Sequence, residues 1–148
     1  MKRTTKSNNT PTLTAHIIGN NADMIAEVAR LYIRDGAIVA DVTYGKGAFW
    51  RKTDTKRFTL KSTDILAGKR VDFRKLPYSD GSIDIVVLDP PYAHNPGNHI
   101  TNAMYQNKET SKGMYHADIM REFYGRGIKE AIRVLKPNGG QLWVKCKD

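Results

Sequence analysis

Hydrophobic and polar positions fall into two kinds of block along this chain. Short apolar runs end abruptly on an acid, and longer amphipathic runs separate them. The strongest apolar run, Ile83-Asp84-Ile85-Val86-Val87-Leu88, leads straight into Asp89-Pro90-Pro91-Tyr92. Its continuous hydrophobicity predicts a strand buried on both faces, as in a parallel sheet. Each proline lacks an N–H and fixes its own φ, so pairing must stop at Asp89. A carboxylate, a rigid carbonyl-bearing turn and an aromatic ring are thereby presented at the carboxyl end of a strand. Open α/β sheets place their ligands there.

The other blocks build outward from that strand. Ile25, Val28, Ala29 and Tyr32 recur at helical spacing and predict a helix over 22–34. Asn20 or Asn21 can cap it, Asp23 suits its first turn, and Gly36 is a C-terminal stop. Ala37-Ile38-Val39-Ala40 reads as a strand ending in Asp41, followed by a glycine-bearing turn and a short helix. A second strand over 57–63, with Phe58 and Leu60 alternating, ends at Asp64, and a very short third strand covers 70–72. Residues 76–82 carry strong turn chemistry. A helix over 117–135 has Tyr124, Ile128, Ala131, Ile132 and Leu135 as its buried stripe, with Gly125 and Gly127 as weak points. A turn over 136–140 then leads to a fifth strand over 141–146. Residues 1–20 read as a flexible basic arm broken by Pro11, and 93–116 as a long polar loop.

Asp41, Asp64, Asp72 and Asp89 thus stand at four successive strand ends, and the first has a glycine turn beside it. Gly45 and Gly47 let backbone approach a ligand closely and adopt φ values closed to other residues. The dinucleotide fingerprint is met only in part, because Trp50 stands where a third glycine belongs. A phosphate-binding P-loop is excluded, since Lys46 is followed by Gly47 rather than Ser or Thr. Asp64 lies about twenty residues past the glycine turn, the separation at which an acid reaches ribose hydroxyls. His94, His99 and His116 have irregular spacing and no partnering Cys or paired acids, so no metal set is expected.

Composition narrows the setting. The 148 residues suffice for one domain, and 40% hydrophobic with 26% charged residues describes a soluble globular chain. No apolar run approaches the ~20 residues of a bilayer span, and no apolar stretch follows the basic start as a signal peptide requires. The lone Cys146 rules out an internal disulfide, so a reducing, cytoplasmic setting is the default. A net charge of +9 favours a polyanionic partner. Arg51, Lys52, Lys56, Arg57, Lys61, Lys69, Arg70, Arg74 and Lys75 concentrate that charge in one stretch.

The combined pattern resembles the class I, S-adenosylmethionine-dependent methyltransferases, and among them the DNA amino-methyltransferases of the adenine-N6/cytosine-N4 type. Asp41-Val42-Thr43-Tyr44-Gly45-Lys46-Gly47-Ala48-Phe49 resembles the family's cofactor loop. Asp89-Pro90-Pro91-Tyr92 is similar to its catalytic motif, in the form most often found with adenine-N6 enzymes. Leu135-Lys136-Pro137-Asn138-Gly139-Gly140 resembles the turn that commonly follows. The resemblance implies a Rossmann-like, doubly wound, mostly parallel α/β sheet of order 3-2-1-4-5 over residues 21–148, without the family's usual C-terminal strands. Gly45 and Gly47, with Asp41 and Thr43 nearby, would hold the methionine end of S-adenosylmethionine. Asp64 would take the ribose hydroxyls and Asp72 the adenine amine, with Phe49 flanking. Asp89, Pro90, Pro91 and Tyr92 would form the catalytic turn, acting on a base in DNA.

Cytosine N4 and RNA bases remain alternative targets, because the tetrapeptide reports amine methylation more than nucleic-acid type. A non-catalytic nucleic-acid-binding fragment is a third reading. Methylation of cytosine C5 needs a cysteine nucleophile, and Cys146 in the last strand is out of place for it. Since the family's sheet normally continues past strand five, truncation, or a second chain completing the sheet as in a homodimer, is expected in preference to a naturally minimal enzyme. The family's motif order also places target recognition after the catalytic motif, which leaves 93–116 as the candidate for base contacts.

Overall fold

In the computed structural model, residues 19–66, 70–90 and 116–146 are described. Helix α1 (Asn21–Tyr32) starts on a capping box. The Asn20 side chain accepts from the amides of Ala22 and Asp23, and Asp23 accepts from the Asn20 amide in return. The helix closes at Ile33, whose extended backbone ends it. Gly36, expected to stop the helix, instead turns the chain into the sheet with φ +78°. Ile33 rather than Tyr32 completes the apolar face, and Tyr32 is 55% exposed.

Four strands form one all-parallel sheet: β1 (Ile38–Asp41), β2 (Thr59–Ser62), β3 (Ile85–Leu88) and β4 (Gln141–Val144), in the order β2-β1-β3-β4. Side chains alternate between faces. Val39, Ile85 and Val87 pack with Ile25 and Ala29 of α1 and with Ile33 just past its end on one face. Ala40, Val42, Val86 and Leu88 pack with Ala131 and Val134 on the other. Helices therefore cover both faces, which explains why β3 shows no polar alternation.

Asp84 interrupts the apolar run for a reason visible at the sheet's amino end. Its carboxylate accepts the Ile38 amide at 2.8 Å and pairs with Lys136 at 2.8 Å. Burial opposes its charge, but these two partners outweigh it and hold the carboxyl below its ordinary range.

Two expectations need correction. Residues 70–72 form no strand, because Arg70 has φ +51° and Asp72 folds straight into a turn, accepting the Arg74 amide. The expected order 3-2-1-4-5 thus holds without its third strand among the described residues. The last helical run is also not uniform. It comprises α2 (His116–Ile119), a π-helical segment (Met120–Gly125) and α3 (Arg126–Val134). The wider turn resets the helical phase, so Phe123, Tyr124, Gly127, Ala131 and Val134 face inward while Ile132 is 62% exposed. Residues 1–18 of the arm, Pro91, Tyr92 and residues 93–115 of the polar loop lie outside the described residues, while Asn20 is drawn into the α1 cap and His116 into α2.

Candidate active site

The carboxyl ends of β1, β2 and β3 bring Asp41, Asp64 and Asp89 to one rim, where parallel α/β sheets bind ligands. Asp41 is the last residue of β1 and is 2% exposed. Its Oδ2 accepts the Trp50 indole N–H at 2.7 Å, and its Oδ1 accepts the Thr43 amide at 3.1 Å. Burial pushes this carboxyl up to about 7. The Trp50 and Thr43 hydrogen bonds pull the other way, while the charges of Asp89 and Asp64 add to the rise.

Between Asp41 and Trp50 runs the glycine loop, which closes into a short 3-10 turn (Ala48–Trp50). Gly47 has φ +68°, and a Cβ there would lie 2.5 Å from the Tyr44 hydroxyl, so the Tyr44 ring occupies that side. Gly45, at φ +54°, has nothing within 4 Å of a built Cβ among the described residues. Among the described residues that face leaves room for a ligand to lie against backbone. Asp64 holds the loop from β2's side, accepting the Gly45 amide at 2.8 Å and the Leu66 amide at 2.7 Å.

Asp89 follows β3 directly. Its amide donates to Thr43 Oγ1 at 2.7 Å, which ties the glycine loop to the acid that follows β3. Register brings in a residue that sequence reasoning missed. Leu88 pairs with Val144, so the next residues, Asp89 and Lys145, are neighbours. Lys145 Nζ lies 3.4 Å from Asp89 Oδ2 and 5.7 Å from the centre of the Phe49 ring. The expected strand over 141–146 kept Lys145 inside the strand, and only the end of β4 at Val144 and its register with β3 bring Lys145 to the rim. Pro90 is buried directly behind Asp89.

The remaining candidates are placed less simply. Asp72 is engaged by Arg74, whose Nη2 lies 2.8 Å from Oδ2. Burial opposes the Asp72 charge, but the Arg74 side chain and amide outweigh it and hold the carboxyl below its ordinary range. Arg74 also reaches Glu122 at 3.4 Å. Phe49 is half-buried and packs against the α1-side core, the alternative to a role flanking a ligand. Tyr124, turned inward by the π-helical segment, has its phenol pushed up to about 12 by burial, with Cys146 and Asp89 adding to the shift. Cys146 lies exposed beyond the end of β4 rather than within a strand.

No protein-family model matches the chain, and no curated protein does. Among solved structures, the crystal structure of the [4+2]-cyclase SpnF is similar, with a TM-score of 0.43 and 20% identity over 83% of this chain. The chain spans 43% of that protein's length.

The residues at the rim can be tested for fit to the cofactor that the motifs imply. An open glycine backbone at Gly45 and the half-buried Asp64 carboxylate beside it suit a ligand with a hydroxylated sugar. The Asp41 carboxylate is sealed away from direct contact, and Asp72 is committed to Arg74 unless that ion pair opens. The glycine loop and Asp64 therefore fit; Asp41 supports the loop through Thr43 and Trp50, whereas Asp72 is held by Arg74 instead. No helix of the described residues is long and apolar enough to cross a membrane.

Proposed function

We propose that this protein is an S-adenosylmethionine-dependent methyltransferase acting on the exocyclic N6 amine of adenine in DNA. The observation that carries the reading is the 2.7 Å bond from the Asp89 amide to Thr43 Oγ1. It joins the glycine loop, suited to a cofactor, to a carboxylate suited to an amine. On this reading the two halves of a transfer reaction share one rim. The net charge of +9 supports a polyanionic substrate, and the proline turn after Asp89 supports adenine through its resemblance to the adenine-N6 motif.

The chemistry follows from what Asp89 can do. The lone pair of an aromatic amine is delocalised into the ring, so the amine is a poor nucleophile. The Asp89 carboxylate and the Pro90 carbonyl can both accept its N–H groups, drawing the nitrogen toward tetrahedral geometry. Fixed acceptors also stabilise the positive charge that develops on that nitrogen. S-adenosylmethionine, when bound, would supply an electrophilic methyl group. The loop from Thr43 to Gly47, hydrogen-bonded to the residue that holds the amine, fixes the distance between the two partners. A paired base cannot reach the rim, so the target nucleotide must leave the stack.

The test is methyl transfer from labelled cofactor to DNA and to RNA, followed by nucleoside analysis. Label in N6-methyladenine of DNA is the expected result. Label in RNA alone, label in N4-methylcytosine alone, or no label despite cofactor binding would each overturn the reading.

A further inference from the structure

Asp41 is buried, ionisable and satisfied entirely by this chain, so holding a ligand directly is not its task. Its two oxygens take different ends of one loop. Oδ1 accepts the Thr43 amide at the loop's start, and Oδ2 accepts the Trp50 indole at its end. Trp50, which the sequence showed only as a missing glycine, is itself buried and packs on Phe58 with ring centres 5.8 Å apart. The bracketed loop is the one whose Thr43 hydroxyl accepts the Asp89 amide.

We propose that Asp41 is a positioning residue. Its ionised carboxylate brackets the glycine loop between Thr43 and Trp50 and, through Thr43, sets the place of Asp89. The bracket is read from geometry alone; the reaction it serves rests on the function proposed above.

The charge state matters because both oxygens accept. A proton on either oxygen makes it a hydroxyl, a weaker acceptor whose own O–H faces a donor N–H, and one end of the bracket is weakened. The groups facing Asp41 favour that proton. Asp64 beyond β2 and Asp89 beyond β3 are like-charged, and Tyr78 in the segment ahead of β3 interacts with Asp41 as well. Lys145 beyond β4 is turned to Asp89. With burial, these place the Asp41 transition near neutrality, at about 7. The bracket is therefore expected to loosen at mildly acidic pH.

Nitrogen-15 NMR of the full chain tests this without relying on turnover. Two indoles must be told apart, Trp50 and Trp143, and Trp143→Phe assigns them. Between about pH 5.5 and 8.5, the Trp50 indole and Asp89 amide resonances should titrate together with one midpoint near 7. Asp41→Asn should abolish both titrations. Should that variant fail to fold, Thr43→Val keeps the test alive: the indole should still titrate while the Asp89 amide is released from the common midpoint. S-adenosylmethionine affinity, measured by calorimetry, should fall about fivefold or more from pH 8 to pH 6. A Trp50 indole flat across the range, or an Asp89 amide that titrates unchanged in Thr43→Val, overturns the proposal. If the resonances titrate but no S-adenosylmethionine binds at any pH, the function reading fails and the bracket stands. If methyl transfer proceeds while the resonances are flat, the bracket alone fails.

Discussion

A carboxylate sealed at the end of β1 weakens the fold when it ionises, and the direction can be worked out. The Asp41 carboxyl is raised from an ordinary 3.8 to about 7 in the folded chain. Its favourable contribution is therefore fully present below the unfolded value and is lost as pH rises through about 7. Asp72, Asp84 and Glu130 act oppositely: held below their ordinary values, they stabilise above the unfolded carboxylate range and fail only in acid. Between pH 5 and pH 8 the Asp41 effect should dominate a comparison with Asp41→Asn. The asparagine variant should gain on the wild type by on the order of 3 kcal/mol across that interval, read by urea denaturation. A constant difference would mean that Asp41 does not titrate there. Asp89 allows a sharper separation of roles. Its bond to Thr43 uses the main-chain amide, so Asp89→Ala keeps the loop tethered while removing the proposed amine acceptor. Transfer should drop on the order of a hundredfold or more with cofactor affinity unchanged, and substantial residual turnover would refute the assignment.

At the scale of elements, two glycines in the last helical run show how position decides sign. Gly125 closes the π-helical segment with right-handed helical backbone, and an added Cβ meets nothing nearer than 3.7 Å. Gly125→Ala should stabilise by up to about 1 kcal/mol through the unfolded chain's lost freedom. Gly127 lies against the Phe73 ring, where a Cβ would sit 2.9 Å from two ring carbons. That ring is itself wedged edge-on against Phe123 at 6.0 Å, so Gly127→Ala should cost about 1–3 kcal/mol. Thermal unfolding of both variants checks the opposite signs. The sequence marked both residues as weak points without distinguishing them, because uniform helical phase says nothing of the π turn that aims Gly127 inward. The same uniform phase placed Ile132 in the core. Features with local causes were legible: the Asn20 cap, the unbroken apolar run of β3, and the acids Asp41, Asp64 and Asp89 at the ends of β1, β2 and β3. Features with distant causes were not. Arg70's left-handed backbone breaks an apparent strand, Lys145 reaches Asp89 only through the β3–β4 register, and Trp50 finds Asp41 only after two glycines have turned the loop back.

For the whole molecule, the basic side chains divide into those held in internal ion pairs and those outside them. Lys52 is committed to Asp23, Arg57 to Asp35, Arg74 to Asp72, and Arg133 to Glu130 and Asp80. Arg51, Lys56 and Lys75 are exposed and stand outside the ion pairs of the described residues. Arg51 follows the 3-10 turn that closes the glycine loop, so part of this free charge borders the site rim. A DNA substrate should exploit it through counterion release, with the logarithm of the binding constant falling linearly against that of salt concentration. Each phosphate contact contributes about 0.9 to the slope, so Arg51→Glu with Lys56→Glu should flatten it by roughly two. Arg57→Ala should leave the slope nearly unchanged, because that guanidinium is already paired with Asp35 and bonded to the Ile33 carbonyl. Fluorescence anisotropy with a labelled duplex over a salt series distinguishes the cases. Affinity insensitive to salt, or equal losses from the paired and unpaired variants, would show that net charge serves something other than phosphate contact and would remove the electrostatic support for a DNA substrate.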